Sequence, residues 1–100
     1  MTRLRKLSKN DIDDYFKNLS FSVIQTGGNG LAYEHQLSKG GYILVTDDSG
    51  VNLPTSNDDK TIIGYYDDEG EFLGDRLYSS LNDLKSDIQS IINNPEILIK

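Results

Sequence analysis

The side chains in this chain with chemistry to offer are carboxylates. Between Asp47 and Asp75 stand nine of them against one cation, Lys60, a local balance of −8. That density suits three kinds of chemistry: oxygen ligation of a hard cation, paired acid–base work, or recognition of a basic surface. The first lacks its pattern, because an EF-hand loop read from Asp47 puts Asn52 where glycine belongs, and one read from Asp67 puts Phe72 there. The second lacks a cleft, since sugars stack on aromatic walls and the chain has no tryptophan. Nucleophilic catalysis is no better served. His35 is the only histidine, there is no cysteine, and no Gly-x-Ser-x-Gly elbow accompanies the imidazole. Thr26-Gly27-Gly28-Asn29-Gly30 offers backbone N–H groups to an anion, but no Lys-Ser or Lys-Thr follows and a strand pattern comes next, so it reads as a hairpin turn. The expectation is a protein that is not an enzyme, with no cofactor and no metal.

Recognition of a basic surface remains. The candidate binding residues are Asp47, Asp48, Asp58, Asp59, Tyr65, Tyr66, Asp67, Asp68, Glu69, Glu71 and Asp75, with Phe72 and Tyr78 among them. Carboxylates interleaved with aromatics can imitate a phosphate backbone and occupy a groove lined by arginine and lysine. The plainer reading of the same acids is a solvated set of turns, since aspartate favours turns and the clusters fall where turns are expected. The formal net charge of −6 conceals a split. Arg3, Arg5, Lys6 and Lys9 make residues 1–10 +4, so residues 11–100 carry −10. A body of that sign repels phosphate, which argues against direct nucleic-acid binding by the acidic part.

These residues need elements to hold them. Ser8 caps a helix whose first turns carry Asp11, Asp13 and Asp14, and Ile12, Tyr15, Phe16 and Leu19 follow at helical spacing. Phe21 to Ile24 reads as a short strand and Leu31 to Gln36 as a second. Lys39-Gly40-Gly41 turns the chain into Tyr42 to Thr46, the most β-prone run and the expected central strand because it is apolar on both faces. Residues 47–60 have loop chemistry. Thr61 to Tyr66 and Glu71 to Leu73 form a hairpin with an acidic tip, and Ser80-Leu81-Asn82-Asp83 opens a helix bearing Leu81, Leu84, Ile88, Ile91 and Ile92 until Asn94-Pro95. The order α-β-ββ-ββ-α predicts an α+β fold: an antiparallel sheet of four to five strands, an N-terminal and a C-terminal helix, and both helices on one face. The expected core includes Phe16, Leu19, Val23, Leu44, Ile62, Leu84 and Ile88.

Residues 1–100 read as a single domain with a flexible basic arm over 1–7 and an apolar tail over 96–100 that docks as an edge strand or meets a partner. The longest apolar runs are too short for a membrane span or a signal core, and the expectation is a soluble, cytoplasmic protein with no membrane partner. In overall type the chain resembles the small acidic anti-defence inhibitors of phages and mobile elements, of the anti-CRISPR or anti-restriction kind: about a hundred residues, no cysteine, many Asn, Asp, Lys and Ile. That resemblance implies inhibition of a basic, nucleic-acid-handling protein through a DNA-mimic surface. The basic arm departs from a uniformly acidic mimic. A structural or regulatory protein that assembles through Ile97 to Ile99, for example as a homodimer, is the alternative, and a small enzyme or metal binder using the acidic loop is a third.

Overall fold

A computed structural model describes residues 9–99, and the basic arm with its Ser8 cap lies outside them. The chain is α+β. Helix α1 (Lys9–Asn18) precedes five strands, β1 (Ser22–Gly27), β2 (Gly30–Gln36), β3 (Tyr42–Asp47), β4 (Thr61–Tyr66) and β5 (Phe72–Tyr78), and these lead to helix α2 (Leu81–Asn93) and a 3-10 turn at Pro95–Leu98. The strands form one antiparallel sheet in chain order, β1-β2-β3-β4-β5, so each pairs only with its sequence neighbours and β3 is central as expected. None of the described helices is long and apolar enough to cross a membrane.

Local chemistry explains where the elements begin and end. Helix α1 closes at Ser20, whose φ of 68° is left-handed, and Phe21 N–H donates back to the Phe16 carbonyl at 2.9 Å. Gly27 and Gly28, at φ 127° and 52°, make the β1–β2 turn that the glycine run promised. Ser80 caps α2 by accepting the Asp83 N–H at 3.1 Å.

Both helices lie on one face of the sheet. The core joins Ile12 and Phe16 of α1 and Leu81, Leu84, Ile88 and Ile91 of α2 to Tyr33, Ile43, Val45, Ile63 and Tyr78 of the strands. The register places these strand residues on one side, because Tyr33 opposes Val45, Val45 opposes Ile63 and Thr61 opposes Tyr78. Phe16 stacks on Tyr33 with ring centroids 4.2 Å apart. This corrects part of the expected core. Phe16, Leu84 and Ile88 are buried and Leu19 packs against them, but Leu44 and Ile62 alternate onto the opposite face. Val23 opposes Tyr33 on the helix side, yet it lies in the outermost strand and stays 42% exposed.

Among the described residues the tail forms no edge strand. Pro95–Leu98 winds back over β4 and β5, Leu98 is 2% exposed within the core, and Ile97 and Ile99 remain outside.

Candidate functional site

The uncovered face of the sheet is the feature the sequence did not reveal. Ile24, Ala32, Thr46, Ile62 and Leu77 line up across all five strands on the side away from the helices. A second row on that face runs Glu34, Leu44, Gly64, Asp75, and a third runs Gln36, Tyr42, Tyr66, Phe72. Among the described residues no helix covers these rows. Leu77 is 59% exposed and Phe72 57%. The two stand at opposite ends of β5 with Asp75 between them, while Ala32 and Thr46 in the middle of the face are buried among their neighbours.

The third row is an aromatic ladder. Tyr42 and Tyr66 stack with centroids 5.2 Å apart and rings within 8° of parallel, and Phe72 meets Tyr66 edge-on at 5.7 Å. Two backbone features position them. A shift in pairing at Tyr65 and Tyr66 sets Phe72 directly opposite Tyr66. Gly64 leaves space beneath the Tyr66 ring, whose Cε1 would lie 3.2 Å from a Cβ there. Burial raises the Tyr66 phenol above its ordinary value, and the neighbouring Tyr42 and the charge of Asp75 add to the shift. The ladder therefore presents a neutral, partly desolvated phenol beside a carboxylate.

The eleven candidate residues do not form one surface. Asp47, Asp48, Asp58 and Asp59 flank the loop between β3 and β4 at one end of the strands, whereas Asp67, Asp68, Glu69 and Glu71 form the β4–β5 hairpin tip at the other. The length of β3 separates the ends by roughly 17 Å, five steps of about 3.3 Å. Asp75 lies between them on the open face. Tyr65 and Tyr66 are split by strand alternation: Tyr66 joins the ladder, and Tyr65 turns to the helix side.

Four of the nine acids hold turns and loops in place. Asp47 accepts the Ser49 N–H at 2.9 Å, and Asp59 accepts the Thr55 N–H at 2.9 Å. Asp67 takes both the Glu69 and Glu71 N–H groups at 2.9 Å, and Asp68 accepts the Gly41 N–H, tying the hairpin tip to the β2–β3 turn. All four hold backbone, Asp47 and Asp67 in the manner of aspartate turns, Asp59 by closing the 55–59 loop and Asp68 by joining two turns. Asp48, Asp58, Glu69 and Glu71 are exposed, and their carboxylates make none of these turn contacts. At the tip, Glu69 and Glu71 flank Phe72 and the ladder, and the Tyr42 hydroxyl reaches to within 3.4 Å of a Cβ built at Gly70. The hairpin end thus combines free charge with aromatic surface, and the 47–60 end has the charge alone.

The helix side has a cleft of about 490 Å³ where the β2–β3 turn meets the end of α2, lined in part by His35, Lys39, Tyr65, Ile92 and Glu96. His35 is half-buried and packs against Phe21 at 5.1 Å between ring centroids, with its Nδ1 buried and unpartnered among the described residues. No group of three or more carboxylates or imidazoles gathers at metal-binding range among the described residues. No protein-family model matches the chain, and neither curated proteins nor solved structures provide a match.

Proposed function

We propose that the protein is a non-enzymatic binding module whose open sheet face docks on a basic protein surface of the kind that handles nucleic acid, and that it inhibits its partner by occupying that surface. One observation carries the reading: the Tyr42–Tyr66–Phe72 ladder, half-buried at its tyrosines and exposed at Phe72, stands beside the carboxylates of the hairpin tip. Aromatic and apolar contact supplies desolvated area, and the rim of Glu69, Glu71 and Asp75 selects a partner rich in arginine and lysine, which can stack on the rings as well as pair with the acids. The net charge of −6 speeds encounter with such a partner. The acids at the far end of β3 lie too distant to share one compact contact with the tip, so the recognition element is the tip and ladder rather than the whole acidic run.

An anti-restriction or anti-CRISPR inhibitor is the functional class this chemistry fits. The test is a panel of restriction and CRISPR nucleases assayed for DNA cleavage with increasing amounts of the protein. Inhibition of a member at near-stoichiometric amounts, weakening as salt rises, is the expected result. Inhibition that persists unchanged at high salt, or none across the panel at micromolar concentration, counts against the proposal.

A further inference from the structure

We infer that the cleft on the helix side binds an organic cation, an ammonium or guanidinium carried on an apolar chain. The site lies across the sheet from the ladder, and the inference does not depend on the reading of that face. At about 490 Å³ the cleft is of ligand size, and the half-buried Tyr65 and Ile92, both packed against the core, form its apolar walls.

Three features set the sign of the ligand. Helix α2 ends here without a basic residue in its last turn, so the negative end of its dipole is not offset from within the helix. The Asn94 N–H donates to the carbonyls of Ser90 and Ile91, and the last two residues of the helix, Ile92 and Asn93, line the cleft. Glu96 adds a full negative charge at the rim, and Tyr65 adds a ring face that attracts a cation. Against these stands Lys39, exposed in the β2–β3 turn on a long side chain that can swing into water. The balance favours a cation with an apolar body for the Tyr65 and Ile92 walls. Such a group can arrive as a free amine or as the arginine side chain of a peptide.

The two rim charges make the inference testable by sign. Titration of the protein with butylammonium, with butylguanidinium, with N-acetylarginine amide and with butyrate, followed by NMR shifts of His35, Tyr65 and Ile92, should show the cations binding and butyrate not. Glu96→Gln should weaken the cations about threefold, and Lys39→Ala should tighten them by a similar factor, as expected for exposed charges. Both residues are exposed, so both variants should keep the fold. N-acetylarginine amide binding more tightly than butylguanidinium identifies a peptide as the source, and the reverse identifies a free amine. Preferential binding of butyrate, the opposite response to the two variants, or no shift with any probe at millimolar concentration overturns the inference.

Discussion

The backbone of Leu98 rests on Gly74, so that a Cβ on that glycine would fall 2.8 Å from the Leu98 carbonyl carbon and 3.0 Å from Ile99 Cα. The contact explains why the tail is part of the fold. Gly74 sits in β5 with nothing projecting toward the helix side, and that gap admits the 3-10 turn and lets Leu98 reach the core. Both obstructing atoms are backbone and cannot rotate away. Gly74→Ala should cost about 1–3 kcal/mol, and Leu98→Ala about 2–4 kcal/mol. Because the two changes disturb one docking contact, the double variant should lose less than the sum. Urea unfolding of the four proteins measures this; strict additivity would place the two residues in separate contacts.

Four phenols have pKa values raised by burial: Tyr15, Tyr33, Tyr66 and Tyr78. For Tyr33, donation to Asp13 and the charge of that carboxylate add to the shift. A phenol that holds its proton more tightly when folded stabilises the fold fully below the ordinary value of 10.0, and that contribution is lost as pH rises above it. Stability should therefore decline with pH from about 10 upward. Tyr33→Phe removes one of the titrating groups and should make the decline shallower, while costing about 1–3 kcal/mol at neutral pH because Asp13 loses its donor. Denaturant unfolding at a series of pH values from 8 to 11 reports both effects. An unchanged slope would mean that Tyr33 ionises as easily folded as unfolded.

Much of this architecture was legible before the structure. The helices announced themselves through Ile12 and Phe16 and through Leu84 and Ile88, spaced by four, and Ser80 caps where its neighbours implied. Strand parity was not legible in β3, because Tyr42 to Val45 is apolar at every position and alternation cannot show which side meets the helices. Neither that run nor the adjacent Ile62 and Ile63 of β4 tells which side is inward, so Leu44 and Ile62 read as core residues and the open face does not show in the sequence. The strand pattern of β5 is also legible only as far as Leu73. Gly74, Asp75 and Arg76 look like turn residues until Leu98 and Ile63 are placed against them. The acidic run was legible as composition, but its division between two ends follows from where β3 and β4 reverse, a property of pairing rather than of the residues themselves.

If the open face is a docking surface rather than part of the core, its most exposed members should be dispensable for stability. Phe72→Ser and Leu77→Ser should each change unfolding free energy by less than about 1 kcal/mol, since neither side chain gives up much buried area. Thermal melts of both variants provide the check. A loss of more than about 2 kcal/mol in either would show that the face contributes to the fold in solution.

The central claim, that the hairpin tip and its ladder form the recognition surface, is tested most directly by competition for a nuclease that the protein inhibits. Displacement of labelled DNA from that nuclease would be measured for the native protein and three variants: Glu69→Gln with Glu71→Gln at the tip, Phe72→Ser on the face, and Asp48→Asn with Asp58→Asn at the far end. None of these side chains takes part in the turn contacts made by Asp47, Asp59, Asp67 and Asp68; Glu69 and Glu71 give Asp67 only backbone N–H groups, which glutamine keeps. The account predicts that the face variant loses about tenfold or more in competition, as befits a residue near the centre of a contact, that the tip variant loses about threefold, as befits rim charges, and that the far-end variant competes like the native protein. Equal competition by the native protein and the tip and face variants, or a loss confined to the far-end variant, would contradict it.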